Sequence, residues 1–477
     1  MKRVQITAAS EAGPEDNLLI LAEKDGLDRL KSWLSPHEYS YLEQGVSRGT
    51  GHFFFARESS AVFVKLLKQD KDDYAAREDA RLAGSDMLKE LRHYKTDVIT
   101  IRNGCSTDRS LDFAEGMALG SYQFLKYFSD PSRREKPLRE IRIEGSGETL
   151  GEINTLLDAV FMTRDLVNEP WSHLNTLQFA GAIGEAGETA GFSVEILEKE
   201  QIAALKMGGL LAVNRASTVP PRFCILEWKP ANAGNEKPVV LIGKGVVYDT
   251  GGLSLKPSDG MDYMKCDMAG AATVVGAMSA VARMHMPLHV IGLIPVTDNK
   301  IGENAIAPGD VITMSSGTTV EVVNTDAEGR LILADALHFA RQYDPALVID
   351  LATLTGSAVR ALGNQAICYM GTASKKTKAE LERSGFHTYE RLVELPLWRE
   401  FGDDLKSHIA DLKNVGSSNA GMIAAGKFLE HFTKFPWLHL DIAGPAYLRT
   451  ANGYRTKEGT GIGVRLIYDF LKNFVHE

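Results

Sequence analysis

Three ionisable side chains, Asp326, Glu328 and Arg330, lie at alternate positions in a short polar segment. The β-branched residues before it, 319–325, predict a strand, and the apolar spacing after it, 331–340, predicts an amphipathic helix. In an extended segment, alternate side chains leave the same face, so the two carboxylates and the guanidinium would converge. Arg330 would stand at a helix N-terminus, where free N–H groups favour an anion. Taken alone, however, most clusters of this kind are solvated turns.

A second polar cluster follows the strand predicted at Val239–Gly243. Lys244 comes directly after that strand. Asp249 and Lys256 flank a pair of glycines, and Asp267 precedes a predicted helix rich in small residues. Each position also has an ordinary structural explanation. A lysine after a strand is usually solvated, an aspartate before a helix often caps it, and an aspartate beside glycines often forms a turn.

Together the two clusters would supply four carboxylates, from Asp249, Asp267, Asp326 and Glu328. Four carboxylates in one pocket would repel one another and lose their hydration, so cations would have to accompany them. Two divalent ions carry four positive charges, and oxygen ligands suit a hydrolytic site with two metals. Sequence spacing alone leaves open whether the two clusters meet.

The elements that must position these residues fall into two α/β domains. Residues 1–145 predict the smaller, N-terminal domain, because strand-like runs alternate with helix-like segments. Its clearest strands and helices are predicted at 60–67, 97–102, 73–94 and 111–128. A polar stretch with two prolines, which also contains Glu135, predicts a connection at 130–140.

A linking helix is predicted within residues 146–170, because a helical pattern that begins at Thr149 ends before Pro170. The larger domain, 171–477, contains short apolar runs separated by helical stretches, which predicts a mostly parallel central sheet flanked by helices. Ligands bind beyond the carboxyl ends of strands in such sheets, which is where both clusters lie. The strands are predicted at 192–197, 222–228, 239–243, 288–296, 346–353, 365–370 and 437–443.

The composition excludes several classes of protein. A net charge of −9 over 477 residues argues against nucleic acid as a partner. No apolar run approaches the ~20 residues that span a bilayer, and residues 1–13 lack a signal-peptide pattern. The four cysteines are scattered without a CxxC pair, which is typical of reduced thiols in a cytoplasmic protein. The absence of an HExxH motif means that carboxylates must hold any metal.

Three blocks of the sequence are more specific. They are residues 243–256, residues 264–272 and the octapeptide 324–331, Asn-Thr-Asp-Ala-Glu-Gly-Arg-Leu. In this order they resemble the signature blocks of the leucyl aminopeptidase family, the cytosol aminopeptidases that use two zinc ions. Shorter stretches at 164–170, 352–356 and 439–444 match as well. The resemblance extends from about residue 163 to the C-terminus and implies that 171–477 is a catalytic peptidase domain.

The resemblance implies a metalloprotease with two divalent ions, Zn²⁺ or Mn²⁺, that hydrolyses the N-terminal residue from peptides. A water activated between the two metals would attack the peptide carbonyl. By resemblance, the tightly bound ion would be held by Lys244, Asp249, Asp267 and Glu328. The exchangeable ion would be held by Asp249, Asp326 and Glu328.

The resemblance also implies roles for two cations and for a pocket. Lys256 would steady the oxyanion, and Arg330 would hold a bicarbonate that acts as general base. The pocket for the first side chain would be mostly apolar, which favours Leu or similar residues. It would be lined by Met264, Thr353, Leu354, Gly356, Ala443 and Ala446.

The family further implies a homohexamer acting on peptides with a free N-terminus, without membrane or nucleic-acid partners. Two alternatives remain at this point. The chain could be a catalytically silent scaffold or nucleic-acid-binding relative, although every implied ligand position is present. It could also be another dimetal hydrolase such as a phosphoesterase, although those sites more often include histidine ligands, which neither cluster supplies.

Overall fold

The structure, a computed structural model, describes residues 3–68, 70, 72–134, 136–145 and 150–474. Two predicted features, Glu135 in the connection and the helix start at Thr149, lie outside the described residues. The chain forms two compact units: Met1–Asp158 with Thr450–Lys457, and Ala159–Arg449 with Glu458–Glu477. No helix in the described part of the chain is both long and apolar enough to cross a membrane.

The first unit contains a six-stranded sheet. Its strands are β1 (Gln5–Ala9), β2 (Leu18–Ala22), β3 (His52–Ala56), β4 (Ala61–Leu66), β5 (Val98–Asn103) and β6 (Glu140–Glu144). They lie in the order β1-β6-β5-β2-β4-β3, and all neighbours are parallel except β3 and β4. The helices are α1 (Pro36–Ser47), α2 (Asp73–His93) and α3 (Ser110–Ser121), and α4 (Leu150–Asn168) leads from this unit into the second.

The strand and helix predictions for the first unit are confirmed except for one boundary. The helix predicted at 111–128 ends at Ser121. Tyr122 takes an extended conformation, with φ −50° and ψ 139°, which stops the helical hydrogen bonds.

The second unit is organised around a larger mixed sheet. Its strands and those of two small sheets are β7 (Ser193–Leu197), β8 (Arg222–Trp228), β9 (Val239–Gly243), β10 (Gly245–Asp249), β11 (Val290–Asn299), β12 (Asp310–Thr313), β13 (Thr319–Val322), β14 (Leu347–Ala352), β15 (Ile367–Gly371), β16 (Leu392–Glu394), β17 (Leu412–Lys413), β18 (Trp437–Asp441), β19 (Tyr447–Leu448) and β20 (Glu458–Gly459). The large sheet has the order β16-β15-β18-β14-β9-β11-β8-β7, with β10 paired to β11. Its centre, β18-β14-β9-β11, is parallel, so the predicted fold class is confirmed.

Helices cover both faces of this sheet. They are α5 (Thr176–Ala190), α6 (Lys199–Ala204), α7 (Gly208–Asn214), α8 (Ser258–Met261), α9 (Ala269–Arg283), α10 (Gly329–Ala340), α11 (Gly356–Leu362), α12 (Lys375–Thr388), α13 (Gly421–Glu430) and α14 (Val464–Asn473). One apolar core joins α7, α10 and α13 to residues on one face of β9, β11, β14 and β18. Helix α9 packs on β9 and β14, with α5 and α14 beside it. The central strands are therefore buried on both faces, as parallel strands require.

Strand β10 is an element that the sequence did not predict. β11 is ten residues long, and β9 pairs only with its first part, from Val290 to Leu293. The chain shifts at Lys244, and β10 then pairs with the remainder of β11, as far as Asp249 opposite Asn299. This shift carries Lys244 and Asp249 to the carboxyl edge of the sheet.

Helix α10 is fixed in place by Asp335, which is fully buried. Its Oδ2 accepts a hydrogen bond from the Leu210 backbone N–H at 3.0 Å, and its Oδ1 accepts one from the Ser315 N–H at 2.9 Å. Burial raises the pKa of this carboxyl to about 6, although both hydrogen bonds oppose the shift. The same side chain thus ties α10 to α7 and to the turn after β12.

This raised pKa predicts the sign of a pH effect. A carboxyl with a higher pKa in the folded than in the unfolded state (about 3.9) binds more protons when folded, so its contribution to stability falls as the pH rises. We expect the stability advantage of the wild type over Asp335→Asn to shrink by roughly 2 kcal/mol between pH 4 and pH 7. Unfolding temperatures of both proteins, measured without metal across this range, test it. An advantage that grows with pH would contradict the assignment.

Candidate metal centre

The two polar clusters meet at the carboxyl edge of the large sheet. Carboxylate oxygens of Asp249, Asp326 and Glu328 lie within 4.8 Å of one another. Asp267 joins this group through Lys244, whose Nζ lies 2.8 Å from Asp267 Oδ1 and 2.9 Å from Glu328 Oε1. Four carboxylates from two separate segments of the chain thus form one cluster.

The second lysine is paired with the other two acids. Lys256 Nζ lies 2.7 Å from Asp249 Oδ2 and 2.5 Å from Asp326 Oδ1. Lys244 is only 3 % exposed, whereas the side chain of Lys256 is 15 % exposed. The cluster therefore has a buried cation on one side and a more accessible cation on the other.

The local structure that brings Asp326 and Glu328 together differs from the prediction. The extended geometry inferred for 326–330 is wrong, because residues 325–326 form a turn and Glu328 already has helical backbone angles. The Asp326 N–H donates to Asn324 Oδ1 at 2.8 Å, which closes that turn. The turn, and not an alternation along a strand, points both carboxylates inward. Arg330 does lie in the first turn of α10, as predicted.

Two glycines allow the backbone to approach the charged groups closely. A Cβ on Gly329 would lie 2.5 Å from Cε and 2.7 Å from Nζ of Lys244. Gly251 has φ +86°, and a Cβ there would lie 2.9 Å from Asp326 Oδ1. A larger residue at either position would displace a charged side chain of the cluster.

A pair of hydroxyl residues joins the two segments directly. The Ser254 N–H donates to Thr325 Oγ1 at 2.8 Å, and the Thr325 N–H donates to Ser254 Oγ at 3.2 Å. Thr325 Oγ1 also donates to the Gly251 carbonyl at 2.7 Å. These bonds hold the loop after β10 against the loop before α10.

Two buried asparagines, which the sequence did not single out, complete this frame. Asn299 Nδ2 donates to Asp249 Oδ1 at 2.8 Å and to the Thr325 carbonyl at 3.0 Å. Asn414, fully buried after β17, accepts from the Val323 N–H at 2.9 Å and donates to the Asn324 carbonyl at 2.6 Å. Asn299 lies beyond the strand predicted at 288–296, so nothing in the predicted elements indicated its role.

Arg330 is 7 % exposed and bonds to the protein backbone. Its Nη1 donates to the Asn414 carbonyl at 2.8 Å, while its buried Nε has no hydrogen-bond partner among the described residues. Burial lowers the pKa of Arg330 to about 10, opposed by Glu328 and Asp441. The side chain is thus a buried cation at the N-terminus of α10, not a solvated surface charge.

Burial dominates the electrostatics of the acids. It raises the pKa of Asp249 to about 6, with Glu328 adding to the shift, and it raises the pKa of Asp267 well above its usual range. For Glu328, Lys244 and Lys256 overcome the effect of burial and lower the pKa. Burial likewise opposes the charge on Lys244, but Asp267 and Glu328 overcome it and raise the lysine pKa.

The residues fit divalent cations. Buried oxygens Asp267 Oδ2 and Glu328 Oε2 have no hydrogen-bond partner within the described chain. Four carboxylates face two lysines, so the cluster retains excess negative charge when the acids are ionised. Unpartnered carboxylate oxygens in a dry, negatively charged cluster are the donors that hard divalent ions select.

Of the predicted pocket residues, Thr353 contacts the cluster directly. Thr353 Oγ1 donates to Asp267 Oδ1 at 2.8 Å. The N–H groups of Leu354 and Ala443 both donate to Asp441 Oδ1, at 3.2 and 3.1 Å, which joins the loops after β14 and β18. Gly356 begins α11, Met264 lies in the turn before Asp267, and Ala446 is 2 % exposed.

The residues of both clusters lie in the part of the chain that is similar to known proteins. The model of the catalytic domain of the cytosol aminopeptidase family matches residues 161–468, which include both clusters. The chain belongs to the cytosol aminopeptidase family. It is therefore a metallo-exopeptidase that hydrolyses peptides from the N-terminus, and the family identification is confirmed.

Individual relatives agree with this family. The probable cytosol aminopeptidase of Chlorobium limicola is 45 % identical over 379 residues, 76 % of this chain and 75 % of that protein. The probable cytosol aminopeptidase of Geobacter sulfurreducens is 43 % identical over 369 residues, 76 % of this chain and 74 % of that protein.

Solved structures extend the similarity to nearly the whole chain. A mutant of tomato leucine aminopeptidase matches with a TM-score of 0.86 at 27 % identity, covering 99 % of this chain and 97 % of that one. The bottromycin maturation enzyme BotP in complex with Mn matches with a TM-score of 0.84 at 30 % identity, covering 96 % of this chain and 99 % of that one.

The cluster contains more carboxylates than lysines, so we expect a bound metal ion to stabilise the folded protein. An ion that binds the folded state alone stabilises it by about 2.7 kcal/mol at a hundredfold excess over its dissociation constant. We expect Zn²⁺ or Mn²⁺ to raise the unfolding temperature and Asp326→Asn to reduce that rise together with the bound metal. Calorimetry and metal analysis measure both quantities. Asp403→Asn, which changes an exposed acid paired with Lys406, is the control. Unchanged metal content in Asp326→Asn would contradict Asp326 as a ligand.

Proposed function

We propose that this enzyme is a leucyl aminopeptidase that uses two divalent ions, Zn²⁺ or Mn²⁺. The observation that carries the proposal is the convergence of Asp249, Asp326 and Glu328 within 4.8 Å, with Asp267 joined to them through Lys244. Once Lys244 is neutral, as a ligand must be, the four carboxylates and the Lys256 ammonium carry a net charge of −3, so one divalent ion alone would leave the set negatively charged. Two divalent ions match its four carboxylates in charge.

The ligands divide between the two ions as the family resemblance implies. The first ion would be held by Lys244, Asp249, Asp267 and Glu328, and the second by Asp249, Asp326 and Glu328. When bound, such ions polarise a carbonyl oxygen and lower the pKa of water, which supplies the nucleophile for peptide hydrolysis. Lys244, which is an ion-paired cation in the protein alone, must lose a proton to act as a ligand.

Lys256 is the group that would stabilise the oxyanion of the tetrahedral intermediate. In the protein alone its ammonium neutralises Asp249 and Asp326. When those carboxylates serve as metal ligands, the ammonium becomes available to the substrate carbonyl. Lys256 is partly exposed, whereas Lys244 is buried. This difference supports Lys256 as the group that reaches the substrate and Lys244 as a metal ligand.

Arg330 would hold a bicarbonate ion that serves as the general base. The first turn of α10 provides free backbone N–H groups, and the guanidinium adds a positive charge beside them. The hydrogen bond from Nη1 to the Asn414 carbonyl leaves the rest of the guanidinium for an anion. The general base would then be the bound bicarbonate, and Arg330 would orient it.

The loops after β14 and β18 would form the pocket for the first substrate residue. Asp441 ties Leu354 to Ala443, and Thr353 reaches Asp267, so the loops are held next to the proposed ligands. With Met264, Gly356 and Ala446, this lining is largely apolar and favours leucine or similar side chains.

We propose a cytoplasmic homohexamer acting on peptides with a free N-terminus.

Hydrolysis of aminoacyl anilides tests the proposed activity. We expect release of leucine from a leucyl anilide to exceed release of glutamate from the matching glutamyl anilide. Chelation should abolish activity, and Zn²⁺ or Mn²⁺ should restore it with two metals per chain. An N-acetylated leucyl anilide is the control and should be inert. Turnover of the blocked substrate, or full activity with one metal, would contradict the proposal.

The role of Lys256 predicts a separation of metal binding from turnover. Lys256→Ala should keep its bound metal while turnover falls by ~10²–10³, the usual cost of losing one oxyanion donor. Lys378→Ala removes an ion pair of the same length, 2.7 Å, on α12 and serves as the control. Metal analysis with steady-state kinetics measures both effects. Normal turnover in Lys256→Ala would exclude the oxyanion role.

A further inference from the structure

One residue of the proposed substrate pocket, Thr353, is hydrogen-bonded to two of the proposed metal ligands. Thr353 directly follows β14, and Lys244 directly follows the neighbouring strand β9. Leu351 is paired with Gly243, and the Lys244 N–H donates to the Leu351 carbonyl at 3.0 Å. Thr353 and Lys244 therefore emerge side by side from the carboxyl ends of two adjacent parallel strands.

The side chain of Thr353 contacts Asp267. Its Oγ1 donates to Asp267 Oδ1 at 2.8 Å, and Lys244 Nζ lies 2.8 Å from the same oxygen. The other oxygen, Asp267 Oδ2, is buried and has no hydrogen-bond partner among the described residues. Buried polar atoms are rarely left unpaired, so this asymmetry needs an explanation. Two donors on one oxygen fix the rotation of the carboxylate and leave Oδ2 for a cation.

The backbone of Thr353 contacts Lys244. Lys244 Nζ donates to the Thr353 carbonyl at 3.1 Å, and its other acceptors are Asp267 Oδ1 and Glu328 Oε1. An ammonium has three N–H donors, so these three acceptors satisfy it. Two of the three belong to proposed metal ligands. The bond to the Thr353 carbonyl is therefore the one for which a bound ion does not compete.

The chain after Thr353 is fixed to its surroundings. Asp441, which is 1 % exposed, accepts hydrogen bonds from the Leu354 N–H at 3.2 Å and from Thr355 Oγ1 at 2.7 Å. Thr355 Oγ1 in turn accepts from the Ala358 N–H at 3.1 Å, in the first turn of α11. The two residues that follow Thr353 are thus tied to β18 and to α11, and the surrounding fold sets the position of Thr353.

We propose that Thr353 is a positioning residue for the first of the two metal ions. Its hydroxyl turns Asp267 so that the free oxygen is presented to the ion, and its carbonyl holds Nζ of Lys244 beside it. The inference rests on the proposed ligand set, in which both residues bind this ion. A group that orients metal ligands in this way typically contributes roughly 10- to 100-fold to metal affinity.

A role in lining the substrate pocket explains less of this geometry. Valine has nearly the same shape as threonine and would line an apolar pocket equally well. What the threonine adds is the hydrogen bond to Asp267, an acid that is only 4 % exposed. The hydroxyl of Thr353 therefore points to a function at the metal centre, in addition to any contact with the substrate.

Two variants separate the hydroxyl from the rest of the residue. Thr353→Val removes the hydroxyl but keeps the shape and the backbone carbonyl, whereas Thr353→Ser keeps the hydroxyl. We expect Thr353→Val to raise the dissociation constant of the first ion by roughly 10- to 100-fold, with that of the second ion unchanged. Thr353→Ser should bind the first ion as tightly as the wild type. Competition between the full-length protein and a chromophoric chelator for Zn²⁺ measures both constants.

Thr7→Val is the matched control for these variants. It removes a threonine–carboxylate hydrogen bond of the same length, 2.8 Å, between Thr7 on β1 and Glu140 on β6. Both dissociation constants should stay as in the wild type. Unchanged affinity of Thr353→Val for the first ion would overturn the proposal. A loss that Thr353→Ser shares, or an equal loss at both sites, would also overturn it.

A crystal structure of the wild-type protein with zinc tests the geometry without any variant and without activity. We expect one oxygen of Asp267 to bind the ion while the other stays bonded to Thr353 Oγ1, with Lys244 Nζ still bonded to the Thr353 carbonyl. An ion on the oxygen that faces Thr353, with the hydroxyl turned away, would overturn the inference. If the wild type binds no divalent ion, the proposed function itself fails. If it binds two and Thr353→Val binds both as tightly, this inference alone fails.

Discussion

The structure of the second unit depends on how it accommodates several carboxylates that are buried together. Asp249, Asp267 and Glu328 are buried together, and burial alone would drive carboxyl groups toward the neutral form. The chain balances them with Lys244 and Lys256 and leaves two oxygens unpartnered. The shift of the chain between β9 and β10, the turn before α10 and the packing of Gly329 all serve to bring these charges together.

The frame around the charges consists of polar residues that are not among the proposed metal ligands. Asn299 and Asn414 hold the backbone of the segments that carry the acids, and Asp335 holds the helix that follows. Amide side chains can donate and accept at once, so they fix a loop without adding charge to a site that already has an excess. The rigidity of the centre thus comes from residues that need not touch metal or substrate.

The predictions from sequence were correct where a local run of apolar residues determines the element. Continuous apolar runs predicted β8 and β9 with correct bounds, and for β9 the reason is its burial on both faces between two parallel neighbours. The predictions failed where tertiary pairing decides: β10 forms because β11 extends beyond β9 and offers the chain a second segment to pair with. Asn414 was missed for the same reason, since its backbone partners lie about 90 residues away in the chain.

The two lysines of the cluster also affect how the site would bind metal ions. Lys244 and Lys256 are ion-paired with all four carboxylates, so each proposed acidic ligand also has a charged partner within the chain. Under the proposed ligand set, metal binding would displace a proton from Lys244 and separate the Lys256 ammonium from Asp249 and Asp326.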